Sequence, residues 1–197
     1  MRLKSTILFI LILGSSSAWC VSHFYRTSAS GSGVRECVTS AFQSQVGVTE
    51  ATNNNDGEPV KYLNSVGLGA GFAWCGAFVH WVFEQCVAPS DLYRFLSKPK
   101  DFAWTPNFVK QESYLTSTPQ PGDLITLYYS SKGRVGHVGF VESYPEGSKV
   151  VTVEGNTNNA GSREGDGVHR KYRLKSQIYK YVNVIGNVPK KEYCECK

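Results

Sequence analysis

The hydrophobic period of this chain changes once, near Pro119, and that change limits the folds open to it. Before it, apolar residues recur at helical spacing; beyond it, they alternate. The strongest helical segment is Trp74-Cys75-Gly76-Ala77-Phe78-Val79-His80-Trp81-Val82-Phe83, apolar nearly all round. Such a stretch marks a helix buried on every side, and it is far shorter than the roughly 20 residues of a membrane span. After Pro119, strands are predicted at 123–129, 134–144, 149–154, 168–174 and 178–184, separated by turn-rich stretches. Helices first and an antiparallel sheet second read as an α+β domain.

A chain of 197 residues has room for one such domain with its own core. Residues 1–20 have the parts of a signal peptide: Arg2 and Lys4, an apolar run at 7–13, and small residues at 14–18, with Ser16 and Ala18 where cleavage needs them. Cys20 offers a second reading, a lipoprotein signal with a lipid anchor at that cysteine, against which Trp19 is a poor preceding residue. Residues 21–33, rich in Ser and Gly, read as a flexible linker, 34–186 as the folded domain and 187–197 as a C-terminal tail. Within the domain a helix is expected at 34–46, its face carrying Val34, Cys37, Val38, Ala41 and Phe42. A turn cluster at 53–57 and a short helix at 58–66, stopped by Gly67, follow. Residues 87–118 read as loops with a short helix near 107–111. The protein is therefore expected to be exported, periplasmic or secreted, or membrane-anchored if Cys20 is acylated.

Export bears on the six cysteines, Cys20, Cys37, Cys75, Cys86, Cys194 and Cys196, because an oxidising compartment allows disulfides. If Cys75 stays free, five remain and cannot all pair internally; their pairing is not legible. Cys194 and Cys196 lack the paired spacing of a zinc site, and no metal or cofactor is expected. The net charge of +5 is scattered and reads as solubility; no nucleic-acid partner is expected.

Three residues suggest chemistry. Cys75 stands at the start of the buried helix after a glycine-rich loop, where the helix dipole and unpaired N–H groups favour a thiolate. His137 lies in the otherwise apolar strand Val135-Gly136-His137-Val138-Gly139. In the next strand, alternation places Thr152, Glu154 and Asn156 on one face. Glu154 can then orient the imidazole, with Asn156 bracing the same group. Cysteine on a helix start, histidine on a strand and carboxylate on its neighbour form a papain-type arrangement. Trp74, adjoining Cys75, is the tryptophan expected to line a substrate groove, whereas Trp81 and Trp104 read as core or wall. His80 falls about 140° around the helix from Cys75 and is excluded; His23 and His169 have no evident partner.

The ordered set Trp74-Cys75-Gly76-Ala77-Phe78-Val79, Pro121-Gly122-Asp123-Leu124, Gly136-His137-Val138-Gly139 and Val153-Glu154-Gly155-Asn156 closely resembles the CHAP family. These are the cysteine, histidine-dependent amidohydrolases and peptidases of bacteria and their phages. The resemblance runs over roughly 34–184; the segment 54–57, with Tyr62-Leu63 and Ser65-Val66-Gly67-Leu68, also looks like one bacterial branch. It implies a papain-like fold with N-terminal helices packed on the sheet, Cys75 as nucleophile, His137 as base, Glu154 as orienting group and Asn156 as a fourth member. It further implies peptidoglycan as partner, cut between glycan and stem peptide (an N-acetylmuramoyl-L-alanine amidase) or within the peptide (an endopeptidase), by a monomer. Two other classes stay open here: a catalytically silent wall-binding protein, and a protein-modifying thiol deamidase or transferase of the same fold.

Overall fold

The computed structural model describes residues 31–158 and 165–189. The signal, Cys20, linker residues 21–30 and the cysteines of the tail lie outside the described residues. The expected first helix forms as α1 (Gly31–Gln43), taking in the last three residues assigned to the linker; its Val38 and Phe42 are fully buried. Next come α2 (Val60–Ser65) and α3 (Cys75–Glu84), then the single turns α4 (Pro89–Leu92) and α5 (Pro99–Phe102). Both of these open with proline, whose missing N–H would be unpaired there in any case.

Strands β1 (Leu115–Thr116), β2 (Leu124–Tyr129), β3 (Arg134–Ser143), β4 (Lys149–Thr157), β5 (Gly167–Leu174) and β6 (Lys180–Val182) follow. They form one sheet in the order β1-β6-β2-β3-β4-β5, with every pair antiparallel. The α+β reading holds, with helices first and one antiparallel sheet after them. The structure departs from expectation in four places. The stretch read as loop holds the single turns α4 and α5. β1 lies in the stretch read as loop, because two residues are too few to show alternation. The short helix expected at 107–111 is a 3₁₀ segment at Thr105–Val109. β4 runs on to Thr157, past the strand end expected at 154, through a bulge between Glu154 and Thr157.

Helices and sheet meet at Phe140 of β3. Its ring stacks on Phe42 of α1 at 4.9 Å and takes the edges of Phe78 and Phe83 of α3 at 5.9 and 5.5 Å. Each such buried phenyl stabilises the fold by roughly 1.5–3 kcal/mol. The irregular aromatic stretch covers another side of α3, with Leu92, Phe95, Phe102 and Phe108 all buried. Gly76 is required there, since a Cβ at that position would lie 2.0 Å from the Phe102 carbonyl oxygen. His80, on α3, is fully buried beside Phe102 and shares a 2.9 Å hydrogen bond between its Nδ1 and Ser65 Oγ. Burial lowers its pKa to about 4, so it is a neutral core group. Asp123, also fully buried, accepts hydrogen bonds from Arg35 Nη1 (2.8 Å) and the Gln120 N–H (2.9 Å), tying α1 to the start of β2. The Pro-Gly-Asp motif is thus a joint.

Cys37 of α1 and Cys86, just beyond α3, form a disulfide across 49 residues of chain. Closing a loop of that length restricts the unfolded chain by about 4 kcal/mol in the entropic account. Cys75 remains the free cysteine among the described residues. Replacing both Cys37 and Cys86 by alanine should lower unfolding free energy by about 2–4 kcal/mol. Urea denaturation of the two proteins checks this, and an unchanged midpoint would refute it.

Candidate active site

Cys75 is the first residue of α3 and Trp74 its N-cap, a residue that places no side-chain acceptor on the first turn. The turn's N–H groups therefore stay open toward the thiol, at the positive end of the helix dipole. The N–H groups of Gly76 and of Val138 on β3 are placed to favour the charged form of the sulfur. Its third partner is the His137 imidazole. His137 follows a bulge in β3, where the register jumps from Leu127 opposite His137 to Tyr128 opposite Val135, leaving Gly136 as the extra residue. Bulges re-aim neighbouring side chains, and here the neighbour is the imidazole.

His137 Nε2 lies 2.8 Å from Glu154 Oε2, which leaves Nδ1 for the thiol. Glu154 is fully buried, and a buried carboxylate persists only when its oxygens are satisfied. Four contacts do this. Oε1 accepts from Arg173 Nε at 2.7 Å and Thr152 Oγ1 at 2.5 Å; Oε2 meets Arg173 Nη2 at 2.5 Å and His137 Nε2. The Arg173 guanidinium thus binds in the two-pronged geometry that makes strong carboxylate pairs. Gly139 makes room, since a Cβ there would meet Glu154 Cγ at 2.5 Å.

The charges follow from these contacts. Burial pushes the Glu154 carboxyl up, but Arg173 and His137 outweigh it and hold it well below the usual carboxylate range. Burial pushes His137 down, but its bonds and charge interactions with Cys75 and Glu154 raise it to about 9. Burial pushes the Cys75 thiol up, but the His137 hydrogen bond and charge, with the Val138 and Gly76 N–H groups, leave it lowered. Between those two titrations the pair is a thiolate facing an imidazolium, the form that attacks a carbonyl carbon. It opens on a cleft of about 210 Å³, whose wall includes Ala73, Tyr129, Lys132 and Asn156.

The structure therefore brings Cys75, His137 and Glu154 together, and corrects two other assignments. Trp74 does not line the groove: it is fully buried, its ring packed on Tyr62 and its Nε1 donating to Glu50 Oε1 at 2.8 Å. Asn156 does not brace the imidazole. The bulge after Glu154 breaks the alternation, and Asn156 sits at φ 56°, in the left-handed region that asparagine tolerates. From there its Oδ1 accepts the Trp74 N–H at 3.2 Å and its Nδ2 donates to Asn55 Oδ1 at 3.1 Å, so it anchors the residue before Cys75. Glu50 Oε2 accepts the Asn55 N–H at 2.8 Å, joining the turn cluster to the same network. His169 gains a partner, with Nε2 2.8 Å from Asp166 Oδ1. The residue that sequence reasoning missed is Arg173. A carboxylate among valines needs a cation, and the adjoining strand β5 supplies one on the same sheet face, opposite Val150. Among the described residues, no group of three His, Cys, Asp or Glu side chains is placed to hold a metal ion.

Residues 67–156 match the CHAP domain. No curated protein matches the chain significantly. Among solved structures, the chain is similar to the crystal structure of Ly7917, at 18% identity and a TM-score of 0.46, covering 76% of this chain and 61% of that one. It is likewise similar to the crystal structure of Ly7917 with the hydrolyzing product of MDP, at 21% identity and a TM-score of 0.45, covering 76% and 62%. The chain thus spans about three fifths of the length of these structures.

Alkylation of Cys75 should set in below pH 8.5, the usual titration of a free thiol, and change again as His137 deprotonates near 9. In Glu154→Gln the imidazole loses a partner that raises it, so that upper transition should move down toward the ordinary histidine value of about 6.5. The pH dependence of iodoacetamide labelling tests this, and identical profiles for the two proteins would remove Glu154 from the site.

Proposed function

The chain belongs to the CHAP domain family through residues 67–156, and from that membership and the site geometry we propose that it is a cysteine-dependent hydrolase of peptidoglycan amide bonds. One observation carries the reading: a free thiol at the head of α3 is bonded to an imidazole whose other nitrogen is held by a buried carboxylate. A protein that only binds the wall has no use for that arrangement, which holds a charged pair in a nearly dry site.

The reaction follows from the groups present. The Cys75 thiolate attacks the amide carbon, forming the S–C bond and moving the carbonyl π electrons onto oxygen. That oxyanion faces the N–H groups of the first turn of α3, the Cys75 N–H among them. The His137 Nδ1–H gives its proton to the departing nitrogen as the C–N bond breaks, leaving a thioester and a free amine. His137, now neutral, takes a proton from water as the water oxygen attacks the thioester. The tetrahedral intermediate collapses, releasing the carboxylic acid and restoring the thiolate. Glu154 keeps Nε2 protonated and the ring turned toward sulfur throughout, and Arg173 keeps Glu154 ionised.

Two finer assignments belong to the same proposal. The bond is either the glycan-to-peptide amide or a peptide bond of the stem or bridge. The place of action is outside the cytoplasm, in support of which stand the N-terminal signal pattern and the Cys37–Cys86 disulfide, a bond that persists in oxidising compartments.

Purified sacculi incubated with the protein should release soluble fragments, whose masses and new termini identify the bond cut. Cys75→Ala should lower that release by about 10³-fold or more while changing unfolding free energy by no more than about 1 kcal/mol. Turnover retained by this variant would remove Cys75 as nucleophile, and sacculi left intact by the folded wild-type protein would overturn the wall-hydrolase reading.

A further inference from the structure

The cleft around Cys75 has a charge that its chemistry does not use. Three cations, Lys132, Lys171 and Arg173, stand among the residues that line it, and among the described residues no carboxylate does. Arg173 is accounted for by Glu154 behind the histidine. Cys75 and His137 together carry no net charge in either form, thiol with imidazole or thiolate with imidazolium. That leaves the two lysines.

Neither lysine pairs with a carboxylate among the described residues. Lys132, exposed at the β2–β3 turn, lies over the Tyr129 ring at 5.8 Å. Lys171, half-buried on β5, donates to the Asn158 carbonyl, which satisfies one of its three N–H groups and none of its charge. Nor do the lysines tune the nucleophile: the thiol is shifted by burial, by His137 and by the Val138 and Gly76 N–H groups. Lys171 is held by strand register, opposite Thr152 and on the sheet face that carries Glu154, so its place in the wall is built into the sheet. Two lysines bearing uncompensated charge beside a reacting thiol make an anion site.

We propose that Lys132 and Lys171 bind a free carboxylate of the substrate, so that the enzyme selects an acidic peptide whose carboxylate enters the same cleft as the amide it cuts. The inference rests on the hydrolase reading and adds specificity to it: stem peptides with free carboxylates are substrates, and those amidated at these groups are poor ones. The lysines are binding residues, and their effect falls on kcat/KM through KM. Charge pairing at a partly desolvated site gives a preference on the order of tenfold or more for the carboxylate form.

The test compares sacculi as isolated with the same sacculi amidated by carbodiimide and ammonia, following fragment release by mass spectrometry. The wild-type protein should cut the carboxylate form at least about tenfold faster. In Lys132→Gln/Lys171→Gln that preference should fall to near unity, through slower cutting of the carboxylate form alone, and the Lys→Arg pair should restore it. Lys149→Gln/Lys180→Gln removes the same charge from exposed positions outside the cleft wall and should keep the wild-type preference, which separates local recognition from attraction of the whole protein to an anionic polymer. Equal cutting of both sacculi by the wild type, or a loss in the Lys132/Lys171 variant that is the same on both, would overturn this inference and leave the hydrolase reading standing. No release from either form would overturn both.

Discussion

The charge on Glu154 is the constraint from which the rest of the site follows. A carboxylate taken wholly out of water costs several kcal/mol unless its oxygens are fully bonded, and here Arg173, Thr152 and His137 bond both. Once that charge is held, the imidazole beside it keeps its proton to about pH 9, and a protonated imidazole is what keeps the sulfur a thiolate. The line Arg173–Glu154–His137–Cys75 alternates in sign from end to end. Removing any inner member leaves a buried charge unpaired, so the site is selected as a unit.

Packing sets that line to the tolerance hydrogen bonds require. Phe140 fixes α1 and α3 on the sheet, the Cys37–Cys86 disulfide fixes them to each other, and the Phe102 carbonyl lies so close to Gly76 that only glycine can follow the nucleophile. A second network, Glu50, Asn55, Trp74 and Asn156, holds the chain just before Cys75. The residues closest in sequence to the nucleophile and to the carboxylate thus serve as its mountings. The cleft itself is lined instead by Tyr129, Lys132, Lys171 and the imidazole.

Much of this was legible in one dimension, for identifiable reasons. A fully apolar ten-residue run forces a buried helix, and alternation forces strands, so the α+β order and the positions of β2 to β5 followed from residue period. Cys75 and His137 stood out because each is a reactive group in a segment with no other need of one. Glu154 followed from its neighbour strand, since β3 and β4 are joined by a tight turn and must pair. Asn156 and Trp74 were misjudged for one shared reason: adjacency was taken for orientation. A bulge turned the first aside, and the demand of a large apolar ring for burial turned the second inward.

The order of residues by itself determined the fold class, the buried helix that carries the thiol, the strand that carries the imidazole and the carboxylate beside it, because these depend on hydrophobic period and on contacts between neighbouring strands. Only the folded molecule decided that Arg173 completes the carboxylate, that Asn156 braces backbone rather than imidazole, that Cys37 finds Cys86, and that two lysines line the cleft on which the thiol opens. Those are contacts between segments tens of residues apart, or at irregularities of strand register. Period carries no information about them, since each is set by which side chains reach one another after the sheet has formed.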